Sequence, residues 1–223
     1  METLTFDIET IPQQTPLSEA QQTELKKKVD RYFWNKPRTK EAEKEATRMV
    51  MGTNPFLGKI VCIGLMRQTK DDIFDTIALI GDEKTDILER FWGILAKYGN
   101  GSYISFNGLG FDVPFIIKRS MVLGIPQTNG YFVNTRRFQK YPHFDVMQIV
   151  SDWNIGNSVT LDLLCDQLGI KTPKGGDIKA KDVEQAFLDG RIDDIAAYCL
   201  RDVKATYKAY EVVKQYVFME KHY

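Results

Sequence analysis

The sequence predicts a single α/β domain, one sheet with helices on its faces. Three observations predict it. The 223 residues suffice for one large domain and fall short of two. Four short segments rich in β-branched and aromatic residues stand among longer segments with helical spacing. Apart from one early helical stretch, the order is strand, strand, strand, helix, strand, helix and then more helices. That is the order of a layered sheet-and-helix domain.

Residues 3–8 alternate and read as the first strand. Residues 18–50 are rich in Lys, Glu, Ala and Gln and read as helical, broken near Lys36-Pro37. Residues 59–66 (KIVCIGLM) and 73–80 (IFDTIALI) read as strands joined by a polar turn with Asp71 and Asp72. Over 84–98, Ile87, Leu88, Phe91, Leu95 and Tyr98 recur at helical spacing. Residues 102–106 (SYISF) make a short strand, followed by a turn with Gly108 and Gly110. A helix then spans 113–123, with Asp112 at or near its N-cap, Pro114 in the first turn and Gly124 at the stop. Residues 126–142 read as loop. Further helices fall at about 145–153, 160–168, 180–188 and 193–218.

The composition, 43% hydrophobic and 27% charged, is that of a soluble globular chain. No apolar run approaches the ~20 residues of a membrane span. The opening METLTFDIET lacks the basic and apolar regions of a signal peptide. Cys62, Cys165 and Cys199 are odd in number and lie in apolar runs, which predicts buried, reduced thiols and a cytoplasmic protein. His143 and His222 are too few and too far apart for a zinc site. Lys+Arg equals Asp+Glu, so the net charge gives no nucleic-acid signal. Oligomeric state is not legible.

Acidic residues carry the chemistry. On a strand, Asp7 and Glu9 point to one face, and Leu4, Phe6 and Ile8 to the other. Two carboxylates side by side in an apolar run repel each other and resist desolvation, an arrangement that a cation between them explains. The plainer reading is a polar edge strand. Asp182 and Glu184 repeat the spacing in a helical context, where i and i+2 diverge by about 200°, so that pair cannot chelate. Asp112 follows a strand end and a glycine turn, the place where α/β sheets put their sites. Taken alone it reads first as an N-cap. Tyr198 and Asp202, four apart on a helix, share one face and could form a simple hydrogen-bonded pair. Tyr141 and Asp145 have the same spacing, but Pro142 stands between them. Asp145 and Asp177 read as cap or turn residues.

FDIET (6–10), SFNGLGFD (105–112) and YCLRD (198–202) resemble the three exonuclease motifs of DEDD 3′–5′ exonucleases. The middle motif is most similar to that of the proofreading domain of family B DNA polymerases. As a whole the chain resembles stand-alone bacterial exonucleases of that kind, from residue 3 to about 213. The resemblance implies a ribonuclease H-like three-layer fold, a five-stranded mixed sheet flanked by helices. It implies two Mg²⁺ or Mn²⁺ ions held by Asp7, Glu9, Asp112 and Asp202. Asp7, Glu9 and Asp202 would hold the ion that activates water, and Asp7 and Asp112 the second. Hard cations prefer such oxygen donors, and a pair of them stabilises the attacking and leaving oxygens of a phosphodiester. Position 198 is Tyr, the tyrosine form, and Tyr198 would orient the water, because tyrosine is a poor base at pH 7. Asn107, with Phe111 and Thr10, would lie near the terminal nucleotide. The implied activity is release of nucleoside 5′-monophosphates from single-stranded DNA. RNA trimming of the ribonuclease D type uses the same site, and a silent nucleic-acid-binding module on the same fold is a third possibility.

The chain departs from the polymerase pattern in having no polymerase domain, so proofreading in cis is not expected. It also departs in an insertion at about 10–58 within a single domain spanning 1–223. Residues 24–48 hold nine basic and five acidic residues, with Tyr32, Phe33 and Trp34 among them. That mixture suits single-stranded nucleic acid. It equally suits an amphipathic helix whose aromatics pack inward. Arg136, Arg137 and Lys140 form a second basic patch.

Overall fold

The computed structural model describes residues 2–68, 74–171 and 178–217. Met1, Asp71, Asp72, Asp177 and His222 lie outside them, and with them the predicted Asp71–Asp72 turn and the turn role of Asp177.

The first strand, β1 (Thr3–Pro12), runs farther than its alternating pattern suggests. Two helices follow, α1 (Glu19–Tyr32) and α2 (Lys40–Gly52), separated at Pro37 as the sequence predicts. Ser18 and Gln21 close a reciprocal capping box on α1, and the Thr39 side chain caps α2. The pair encloses a small core of Val29, Phe33 and Ala46. Strands β2 (Gly58–Gln68) and β3 (Phe74–Ile80) come next. The helix predicted over 84–98 opens as a π-helical turn (Glu83–Glu89) before α3 (Arg90–Tyr98). Strand β4 (Ser102–Ser105) leads to α4 (Asp112–Leu123), which Gly124 ends in the left-handed conformation.

A fifth strand, β5 (His143–Asp145), appears where a loop running into a helix is expected. It is followed by α5 (Val146–Val150), shorter than predicted, and by α6 (Leu161–Gln167), α7 (Val183–Leu188) and α8 (Ile192–Val217). The sheet order is β3-β2-β1-β4-β5, with β1–β2 and β2–β3 antiparallel and β1–β4 and β4–β5 parallel. This is the five-stranded mixed sheet that the resemblance implied.

The period of two on β1 divides the core. Leu4, Phe6 and Ile8 pack with Phe91, Trp92 and Leu95 of α3 and Val113, Phe115 and Ile116 of α4. Phe132, from the loop after α4, is fully buried among Phe6, Phe91, Trp92 and Tyr103 and fixes that loop to this layer. On the opposite face, α8 lays Val203, Tyr207 and Val213 against Met66, Ile104 and Phe144. Its earlier turns, Ile195 and Cys199, pack on Ile11, Val61 and Cys62. Gly64 of β2 permits this close seating. A Cβ there would lie 2.8 Å from Cys199 Sγ and 3.0 Å from Val203 Cγ2. None of the described helices is long and apolar enough to cross a membrane.

Candidate functional site

The site gathers at the C-terminal half of β1, on the α8 side of the sheet. Asp7 stands opposite Gly64 and Glu9 opposite Cys62. After Glu9 the register slips, with Thr10 opposite Ile60 and Val61 left as the extra residue of β2. β4 pairs with β1 only up to Thr5, so the later amides of β1 on that side have no strand partner. Asp112 fills the gap. Its Oδ1 accepts the buried Ile8 N–H at 3.0 Å. Asp112 lies next to the N-cap, as expected, but its side chain does not serve as the cap. Phe111 holds the cap position without a side-chain cap, and Asp112 is the first helical residue with its carboxylate turned back onto β1.

The turn between β4 and α4 is pinned from below. Asp145 is buried and accepts N–H groups from Asn107 (2.9 Å), Leu109 (2.9 Å) and Gln148 (3.1 Å). It caps α5, as its residue type suggested, and it also clamps the turn that delivers Asp112. Asn107 adopts a left-handed conformation (φ 61°), which Asn tolerates. Its carbonyl accepts the amides of Gly110 and Phe111, and its side-chain oxygen accepts from Gln148 Nε2 at 3.3 Å.

From α8, Tyr198 and Asp202 complete the group. Burial pushes the Asp7 carboxyl well above the usual range, and Asp112, Glu9 and Asp202 push it further. Burial and then Asp202 do the same to Glu9. Asp112 is pushed up to about 7 by burial, against the pull of the Ile8 amide and its own. Asp202 is pushed up to about 6 by burial, with the Tyr198 hydroxyl hydrogen-bonding to it and pulling it back. Burial, then the charges of Glu9, Asp202 and Asp7, hold the Tyr198 phenol protonated. Four carboxylates and a phenol therefore share one electrostatic neighbourhood, which destabilises every negative charge in it.

Ligand atoms of Asp7, Glu9 and Cys199 lie within 4.8 Å of one another. The Cys199 sulfur is buried, its proton held by that burial and directed at the Asp7 carbonyl (3.5 Å) and Oδ2 (3.7 Å). The thiol therefore supports Asp7 by hydrogen bonding. The remaining oxygen donors suit a hard divalent cation, whose charge would relieve the repulsion.

Beside Glu9 lies a cavity of about 360 Å³, lined by Ile8, Glu9, Thr10 and Phe111 together with residues of α2 and α7. Thr10 and Phe111 therefore border this cavity, and the Thr10 hydroxyl is committed to the Gly52 carbonyl (2.8 Å). Asn107 is not among the lining residues. Asp182 is the N-cap residue of α7 and Glu184 lies in its first turn, the helical context that the sequence predicts. In the basic stretch, Phe33 is buried, and Lys26, Lys28 and Arg38 pair with Asp30, Glu24 and Glu43. Trp34 alone of its aromatics is almost fully exposed, at 88%. Lys140 donates to the Val217 carbonyl, and Arg137 lies over the Phe138 ring.

Residues 54–219 match a protein family described as "Predicted 3'-5' exonuclease related to the exonuclease domain of PolB". The chain belongs to this family. The matched span holds Asp112, Tyr198 and Asp202, while Asp7 and Glu9 precede it. A DNA polymerase of Pyrococcus glycovorans is 23% identical over 144 residues, covering 59% of this chain and 18% of the polymerase. The family B DNA polymerase of the hyperthermophilic archaeon Pyrobaculum calidifontis has a similar fold, with a TM-score of 0.58 at 17% identity. That likeness covers 95% of this chain and 24% of the polymerase. The chain therefore spans about a fifth to a quarter of the length of these relatives.

Sequence reasoning missed Asp145 as the clamp of the turn, and Cys199 as the thiol beneath Asp7. Cys199 was within reach, since it lies three residues before Asp202 on the same helix.

Proposed function

We propose that this family member is a 3′–5′ exonuclease of the DEDD tyrosine form that hydrolyses single-stranded DNA to nucleoside 5′-monophosphates with two divalent cations, Mg²⁺ or Mn²⁺. One observation carries the reading: Asp7, Glu9, Asp112, Asp202 and Tyr198 come from three separate elements and meet in one neighbourhood. A purely structural role gives no reason to gather carboxylates that raise one another's pKa.

Asp7, Glu9 and Asp202 would hold one cation, and Asp7 and Asp112 the other. Bound there, the cations supply a nucleophile near neutral pH and neutralise charge on the leaving oxygen. The chain's own residues do the rest. Tyr198 stays protonated and so orients water by a hydrogen bond without removing its proton. Asp145 and the Asn107 turn fix Asp112. Phe111 and Thr10 border the cavity beside Glu9, which suits the terminal nucleotide. Cation binding must displace protons from the raised carboxyls, so affinity rises with pH. We place the enzyme in the cytoplasm, acting as one domain.

The test uses 5′-labelled single-stranded DNA and RNA of one sequence with Mg²⁺ or Mn²⁺, beside Asp202→Ala and EDTA controls. A shortening ladder from the parent chain alone supports the enzyme. Equal ladders from parent and variant identify a contaminant and remove the assignment. A ladder on RNA only moves the reading to trimming of the ribonuclease D type. Binding without any ladder moves it to a silent module.

A further inference from the structure

We propose that Arg48, on the helix α2 that lies between the first two strands, is a phosphate contact for the substrate strand, and that the cleft between α2 and α7 is that strand's path to the acid cluster. The inference rests on the nuclease reading above and adds to it a residue and a route.

The route is lined by two adjoining spaces. The cavity beside Glu9 adjoins a larger groove of about 880 Å³ between α2 and α7. Pro12, Glu45, Arg48, Lys181 and Glu184 line both, so the two spaces meet at Arg48. Their sizes fall in the range of about 300–1,000 Å³ that accommodates small ligands and nucleotides. One end opens at Glu9 and Phe111, and the other reaches Lys44 and Leu188.

Charge explains why a cation belongs there. Four clustered carboxylates, two of them buried, repel a polyanion, and the chain as a whole has no net charge to attract one. Arg48 and Lys181 are the cations that line the inner cavity, and Lys44 joins them in the groove. Arg48 is held in place and yet incompletely used. Its Nε and Nη2 donate to Glu45 (3.2 and 2.9 Å), and Nη1 donates to the Lys181 carbonyl (2.7 Å). One N–H on each terminal nitrogen remains for an incoming phosphate, the group a guanidinium binds best. Glu184 lies 3.7 Å from Nη1, at the limit of an ion pair. Glu45 and Glu184 thus compete with substrate for the same cation.

A plain brace between α2 and α7 is the rival account, and the two differ in sign. Binding of a fluorescein-labelled oligothymidylate is measured in Mg²⁺ on the Asp202→Ala background, at salt from 50 to 200 mM. Adding Arg48→Ala is expected to weaken binding about tenfold, the scale of one charge-assisted hydrogen bond. It should also reduce the salt slope by about 0.7, the value for one phosphate on a single strand. Arg48→Lys, which keeps the charge, should restore most of the slope. Glu184→Gln, which frees Arg48, should tighten binding, whereas a brace predicts equal or weaker binding. On the otherwise unchanged chain, Arg48→Ala should raise KM with little change in kcat. An unchanged salt slope in Arg48→Ala, or weaker binding in Glu184→Gln, overturns the proposal. Failure of the parent chain to shorten any strand would instead remove the nuclease reading, and the salt slope would still decide the route.

Discussion

Asp112→Asn and Asp112→Ala should separate sharply in metal-free protein. Asp112 is buried, its carboxyl is pushed up to about 7 from an ordinary 3.8, and one oxygen accepts the Ile8 amide. A carboxyl whose folded pKa is raised favours the fold while protonated and opposes it once ionised. The penalty is absent below about pH 4, grows as pH rises, and is complete above about pH 7. Three units of pKa correspond to about 4 kcal/mol, which is a ceiling. Asn removes the charge and keeps an oxygen for the Ile8 amide. In EDTA at pH 8 we expect a gain of about 2 kcal/mol, because the neighbouring acids already relieve part of the repulsion by retaining protons. Ala removes the same charge but leaves the Ile8 amide buried without an acceptor, at a cost of about 1–3 kcal/mol. For a chain of 223 residues each kcal/mol moves Tm by about 2–4 °C. Asp112→Asn should then melt roughly 4–8 °C above the parent in EDTA at pH 8, with Asp112→Ala below it. The gain should shrink as the pH is lowered toward 4. Mg²⁺ should raise the Tm of the parent more than that of Asp112→Asn, which keeps the Asp7, Glu9 and Asp202 set, and so narrow or reverse the difference. Thermal melts of the three proteins at pH 5, 6.5 and 8, in EDTA and in Mg²⁺, make the comparison. An Asp112→Asn Tm at or below the parent's in EDTA at pH 8 would refute the reasoning, since the carboxylate would then not be held against repulsion and burial.

Activity should fall as pH drops through the range set by Asp112, about 7, and Asp202, about 6, because both must be ionised to hold a cation. The midpoint should move to lower pH as Mg²⁺ is raised; a midpoint independent of Mg²⁺ in pH–rate profiles would separate the titration from cation binding. Tyr198→Phe keeps the ring and deletes the hydroxyl, and kcat should fall by about 10²-fold, as for one lost transition-state donor. Its Tm should change little, so a large loss of stability would show a structural hydroxyl instead. Asp145→Ala strands two backbone amides of the Asn107 turn and one at the start of α5, and we expect it to lose about 3–5 kcal/mol in urea unfolding, on the scale of a broken buried network.

The parts of this protein legible in its sequence are those with a period. β1 announces its two faces by strict alternation, and α8 places Tyr198 and Asp202 on one stripe. α1 and α2 announce themselves by their Lys, Glu, Ala and Gln content and by the Pro37 break. What escaped has no period. β5 is three residues long and follows Tyr141-Pro142, so it offers no alternation to read. The π-helical opening before α3 keeps the same apolar residues as an ordinary helix would. The role of Asp112 is set by where β4 stops, which no local pattern in residues 105–112 encodes. Arg48 looks like any charge on a solvated helix until α7 is folded against it.

Gly64 carries no ligand atom of its own, yet its close packing bears on how far apart the acids stand. It faces Asp7 across the β1–β2 ladder, and its missing methyl admits Cys199 and Val203 of α8. Strand and helix act here as the two jaws of a calliper, with Asp7 and Glu9 on one and Asp202 on the other. A single Cβ at position 64 works like a shim between them. Gly64→Ala should lift α8 from the sheet and widen the opening while every ligand remains present. Such a change would be read in the choice of ion, because Mg²⁺ demands a stricter geometry than larger, more accommodating cations. At the proposed cation site, ion selectivity would in that sense be a packing property, adjustable from a residue that carries no charge.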